Sequence, residues 1–160
     1  MADAIAPPAA TPAKRIATNS SPYPRLSPDI VDAIKADLPL PVPKPNPTGK
    51  KTHGRWVDKD GNIGQMVSGE DEDAIEVRRI LKAAGVPPVG EPVTVTHVEM
   101  KLAARMRRQR ERHMELVVNN EPCVGPYGCD TLLPALLPQG YSITIHGPRE
   151  SKTYAGGEEW

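Results

Sequence analysis

The sequence predicts an α/β sandwich, with helices packed on a mixed β-sheet. Two observations carry that prediction. Apolar residues recur at helical spacing in some stretches and at strand spacing in others, in the order short helix, hairpin, helix, helix, strand, helix, strand. Cap and turn residues punctuate these stretches where each must begin or end. A chain of 160 residues is long enough for one core of ordinary size. With no Phe in the chain, that core must rest on Val, Ile, Leu and Met.

Residues 1–26 are mainly Ala, Pro, Thr and Ser, a composition too poor in apolar surface to offset chain entropy, and read as a tail or linker. Residues 27–160 form the folded domain. Ser27-Pro28 gives an N-cap and first helical residue; Ile30, Val31, Ile34 and Leu38 line one face, and Pro39 stops the helix. Residues 39–47 are extended and polyproline-like. Arg55–Val57 and Ile63–Val67 flank Asp60-Gly61 as a hairpin, with Trp56 in its packing. Ser68 and Asp71 resemble a capping box for a helix that ends at Gly85, with Pro87 and Pro88 beyond. Its acidic first turns suit the helix dipole.

The central helix begins near His97, and His113 marks its end, where a cation is favoured. On a helical wheel Val98, Leu102, Ala103 and Met106 share one face, with Glu99 in the middle of it. Lys101, Arg105, Arg108 and Arg112 fall on another. Glu115–Asn119 is a short strand. Thr131–Leu137 is helical, with Pro134 in its first turns or at a kink. Ser142–His146 alternates as a half-buried strand, and Lys152–Tyr154 adds an edge strand.

Net formal charge is zero, which by itself argues for no partner. No apolar run approaches the roughly 20 residues that span a bilayer. The N-terminal Met1-Ala2-Asp3-Ala4 lacks a basic region and an apolar core, so no secretory signal is visible. The two cysteines, Cys123 and Cys129, fit reduced metal ligands better than a lone bridge in a chain of this length.

His97-Val98-Glu99 and Pro122-Cys123 with Cys129 supply one imidazole, two thiolates and a carboxylate. The first three make a zinc site with an open fourth position, where bound water has its pKa lowered to about 7. His97 and Glu99, in a first helical turn, both reach a point beyond the helix end. These residues resemble the H-x-E…P-C-x-x-C arrangement of the zinc-dependent nucleobase deaminases, which implies that Glu99 would carry protons between that water, ring N3 of a cytosine attacked at C4, and the leaving ammonia. Held against an apolar helix face, its pKa is expected to be raised. The same residues also permit a structural zinc clip or unmetallated thiols.

Together with Asn119-Asn120-Glu121, Leu132-Leu133-Pro134 and Leu136-Leu137-Pro138, this constellation resembles the DddA-like bacterial deaminase toxins of the cytidine deaminase superfamily, over about residues 54–155. The resemblance implies a three-layer sandwich of the cytidine deaminase type and Zn2+ held by His97, Cys123 and Cys129, with Glu99 as proton shuttle. It implies deamination of cytosine in DNA and a cognate immunity protein that blocks the site. It also implies a secreted toxin domain, delivered by a specialised system to act in the target-cell cytoplasm. The departure is the spacing of the cysteines, i and i+6 where the superfamily has i and i+3. Gly125, Pro126 and Gly128 must fold that loop back. Tyr127 resembles an aromatic found in such insertions, which could stack on a base.

Several residues keep two readings. The basic stripe Lys101, Arg105, Arg108 and Arg112 is either a solvated face or a contact with the nucleic-acid backbone. Asn119 and Asn120 end a strand or, with Pro122 and Tyr127, bind substrate. His53 is a loop residue close to the hairpin that carries substrate-side loops in this superfamily. A duplex substrate would need an inserted wedge, and with few aromatics available single-stranded DNA is favoured. A free-nucleoside deaminase and a non-catalytic zinc module are the alternatives. A monomer with no membrane association is expected.

Overall fold

A computed structural model describes residues 25–86, 93–125 and 127–157. Most of the expected tail, the Pro87-Pro88 stop and Pro126 therefore lie outside the described residues. Helix α1, Pro28–Asp37, is capped by Ser27, whose Oγ accepts the Ile30 N–H at 3.3 Å. Strands β1, His53–Val57, and β2, Ile63–Val67, pair antiparallel, with Trp56 opposite Gly64. The indole lies over that glycine so closely that any Cβ there would run into it. The connection is a loop organised by Asp58, whose Oδ1 accepts the N–H groups of Asp60 and Asn62, both at 2.9 Å.

Helix α2, Glu72–Ala83, is capped by Asp71, whose Oδ1 accepts the Ala74 N–H at 3.1 Å. Ser68, expected at the cap, instead accepts the Thr52 N–H at 3.0 Å and ties the hairpin to the segment before it. The helix ends as the sequence predicts. Gly85 adopts φ +73°, its N–H bonds Lys82 O, and the Val86 N–H bonds Leu81 O. That is a Schellman motif with its apolar contact buried.

A 3-10 turn, Val93–Thr96, leads through His97 into α3, Val98–Gln109. The remaining elements are β3, His113–Val118, α4, Cys129–Leu136, β4, Ser142–His146, and β5, Ser151–Ala155. His113 opens β3 where the sequence suggested a helix end. Its Nδ1 lies 2.8 Å from Ser142 Oγ, and burial pushes its pKa down. Pro134 sits in the second turn of α4.

The sheet order is β2-β1-β3-β4-β5, with β3 and β4 parallel and every other pair antiparallel. Alternation along β3 sets the layers. Met114, Leu116 and Val118 join the main core with α2, α3 and α4. Val117 faces the opposite side and packs with Val31 and Leu38 of the α1 region, and with Leu26. The Leu26 N–H also donates to Glu115 Oε2 at 2.7 Å, so the end of the expected tail is fastened to β3. The result is an α/β fold of three layers, as the sequence predicts. No helix among the described residues is long and apolar enough to cross a membrane.

Candidate metal centre

Two helix N-termini converge beyond the C-terminal end of β3. His97 is the cap residue of α3, Cys129 is the first residue of α4, and Cys123 lies in the loop between β3 and α4. His97 Nδ1 is 3.4 Å from each sulfur, and the sulfurs are 3.4 Å from one another. A disulfide would bring the sulfurs to about 2.05 Å, so both thiols are free. Tetrahedral zinc, with Zn–S of about 2.3 Å and Zn–N of about 2.0–2.1 Å, separates its donors by about 3.5–3.8 Å. The triangle lies within a few tenths of an ångström of that spacing, and its donor set can hold a metal ion.

The loop between the cysteines solves the i, i+6 problem by folding onto itself. Gly125 adopts φ +115° and its carbonyl accepts both the Gly128 N–H at 3.1 Å and Thr131 Oγ1 at 2.6 Å. The Asp130 N–H returns to Cys123 O at 3.1 Å. At Gly128 a Cβ would lie 2.6 Å from Val124 C and 2.8 Å from Cys123 O, so only glycine lets the turn close. Thr94 Oγ1 donates to Tyr127 O at 3.1 Å, joining this loop to the one that enters His97.

Electrostatics favours a thiolate here. The Cys129 thiol and the Cys129 N–H, at 3.4 and 3.1 Å, donate to Cys123 Sγ. Those bonds, with His97, pull Cys123 down to about 4 against the cost of burial. The Cys129 thiol, buried and donating, is pushed up, and the thiolate beside His97 raises the imidazole. Glu99 is 3 % exposed, with Oε1 3.6 Å from Cys129 Sγ. Burial raises its pKa, as its place on the apolar helix face implies.

The other expected site residues divide. Pro122 is half-buried and lines a cleft with Cys123, and Tyr127 is exposed at the loop tip. Asn119 is buried and its amide is committed: Oδ1 accepts the His53 N–H at 2.8 Å and Nδ2 donates to Leu40 O at 3.1 Å. Those bonds fasten three segments together. Asn120 Nδ2 reaches Thr52 Oγ1 at 3.3 Å.

The basic stripe is not a continuous phosphate-facing surface. Lys101 is 1 % exposed, with Nζ on Asp71 Oδ2 at 2.6 Å, Val67 O at 2.6 Å and Gly69 O at 3.1 Å. Every ammonium proton is used, and the wheel could not reveal it because α2 and the β2 turn cover that side. Arg105 lies over Trp56, 5.0 Å from the ring centroid. Arg108 pairs with Asp73 at 2.9 Å. Arg112 is exposed. At 1.5 Å per residue, Arg108 stands about 16 Å along the helix from His97, away from the triangle.

One group beside the centre escaped the sequence reading. Asp130, next to Cys129, accepts Lys152 Nζ at 2.7 Å and Tyr154 OH at 2.8 Å through Oδ1. Those two bonds hold its carboxyl low, and they tie the start of α4 to β5. No periodicity or spacing links residues so far apart in the chain.

No curated protein matches the chain. The family model of the SCP1.201-like deaminases matches residues 24–158, which include the three ligand-type residues and Glu99. With that match covering most of its length, the chain belongs to the SCP1.201-like deaminase family.

Proposed function

We propose that this deaminase is a zinc enzyme that converts cytosine to uracil in DNA, in single strands rather than duplexes. The observation that carries the reading is the buried Glu99 carboxyl set against the His97–Cys123–Cys129 triangle. A structural zinc clip wants a fourth protein ligand and has no use for such a carboxyl. In this reading His97, Cys123 and Cys129 hold the ion. Bound zinc supplies an acidified water as nucleophile. Glu99 would take one proton from the attacking water and deliver it to cytosine N3; it would then take the second, from the new C4 hydroxyl, and pass it to the amino group as the C4–N bond breaks and ammonia leaves. Burial raises the pKa of the Glu99 carboxyl, which favours its taking up the water's proton. Tyr127 and Pro122 flank the base.

Single strands are favoured because flipping a base from a duplex costs a few kcal/mol and only 4 % of residues are aromatic. The same reading makes the protein a bacterial toxin domain, a monomer delivered into a target cell and held in check by a cognate immunity protein. Glu99→Gln tests the chemistry. Zinc content should be retained while ammonia release from cytosine-containing oligonucleotides falls by about 10²–10⁴. Turnover surviving that change overturns the role of Glu99. Ammonia released from cytidine in preference to oligonucleotides favours a free-nucleoside deaminase.

A further inference from the structure

The cations that the α3 stripe does not offer are found elsewhere. Residues 38–57 contain Lys44, Lys50, Lys51, His53 and Arg55 and no acidic residue. Arg55 is committed to Asp37 at 3.3 Å. Lys50, Lys51 and His53 line a cleft of about 570 Å³ whose other walls are residues 39–43 and Asn119; Lys51 Nζ also donates to Ser68 O at 3.4 Å, a single exposed bond that leaves its other ammonium protons for a ligand. No carboxylate lines it. By contrast, the cleft beside Cys123 sets Lys44, Arg149 and Lys152 against Glu121, Asp130 and Glu150. The two openings therefore differ in the charge they present, and the first alone is uniformly cationic. Its far wall, Pro39, Leu40 and Pro41, is exposed and apolar, with Leu40 88 % exposed.

Hydrogen bonds tie this cleft to both segments that carry the metal-ligand residues. Thr52 O accepts the Ser68 N–H at 2.9 Å, and the Gly69 N–H bonds Thr96 O at 3.0 Å, one residue before His97. On the other side the Asn119 N–H bonds His53 O at 3.1 Å, and the chain runs from Asn119 to Cys123. Residues 50–53 thus lie between the two ligand-bearing segments. The amide of Asn119 fixes both the apolar wall and the start of β1, so the cleft is held by buried bonds.

The geometry points to this cleft as the seat of a nucleotide next to the target cytosine, with Lys50 and Lys51 meeting its phosphates and the Pro39–Pro41 wall facing its base. The inference rests on the proposed single-stranded DNA substrate and names where that strand leaves the centre. A strand crossing the cleft gains sequence-independent affinity from the two lysines and loses it as salt rises. The aliphatic wall buries a base face by apolar contact and offers no side-chain hydrogen-bonding group, so this subsite selects for a polymer and leaves base choice to the centre.

The test is binding of a labelled oligothymidylate of about ten nucleotides, which contains no target base. Measured against salt, Lys50→Ala/Lys51→Ala should weaken binding about tenfold and flatten the log–log slope by about 1.4, the loss of two phosphate contacts to a single strand. Lys50→Arg/Lys51→Arg should restore both, and Lys82→Ala on exposed α2 should change neither. Metal content and the release of ammonia from free cytidine should be those of the wild type. Wild-type binding that the double alanine variant leaves intact overturns the cleft and spares the deaminase proposal. A wild-type protein that deaminates free cytidine and binds no oligonucleotide overturns the cleft and the DNA substrate together, leaving the zinc chemistry standing.

Discussion

Replacing Lys101 with methionine removes a charge from the first turn of α3 while keeping most of the volume of its stem. The ammonium makes three short bonds, to Val67 O, Gly69 O and Asp71 Oδ2. Asp71 is 47 % exposed, so water recovers its carboxylate when the partner is lost. The two carbonyls of the β2 turn are partly buried and recover less. Two charge-assisted bonds at about 1.5 kcal/mol each give a loss of about 3 kcal/mol. For a chain of this size that lowers Tm by about 6–12 °C. The turn also carries the Gly69 N–H bond to Thr96 O, next to His97, so metal affinity should weaken with it. The salt dependence of oligonucleotide binding should not change, because a cation that is 1 % exposed meets no phosphate. Thermal unfolding and the salt titration are read on the same preparation. An unchanged Tm with a flatter salt slope would refute the reasoning and return Lys101 to the nucleic-acid surface.

The remaining predictions concern the cysteine loop and acid stability. Gly128→Ala pushes a Cβ onto the backbone of Val124 and Cys123, and should lower metal affinity by tenfold or more in a chelator competition. Gly61→Ala, at φ +84° with open space around it, should cost about 1 kcal/mol and leave metal affinity unchanged. Burial acts to raise the Asp71 carboxyl, but the Lys101 and Ala74 N–H bonds outweigh it and hold the pKa below the ordinary 3.8. A depressed carboxyl stabilises the fold above its unfolded pKa, and that contribution is lost as pH falls through the folded value. The urea midpoint should therefore drop below about pH 4, and Asp71→Asn should show a smaller drop.

The sequence by itself determined the elements and the donor set. Ser27-Pro28, Gly85 and the strand Ser142–His146 are local signals, because caps, left-handed glycines and strand periods act within a few residues; the strand is buried on both faces from Ile143 to His146, where the sequence suggested a half-buried one. His97, Glu99, Cys123 and Cys129 were legible for a related reason, since helix-start position and residue chemistry are written locally. Tertiary structure decided what covers each helix face and which polar groups find partners. Lys101 looked like a solvated charge because a wheel shows direction without neighbours, and Asp71 and the β2 turn lie on that side. The bonds of the Asn119 amide to His53 N–H and Leu40 O join segments that lie far apart in the chain. The folding of residues 123–129 into a triangle with His97 likewise depended on contacts across the chain, among them Thr94 with Tyr127. A side chain's role follows from who takes its hydrogen bonds, and those partners come from segments that only the fold brings together.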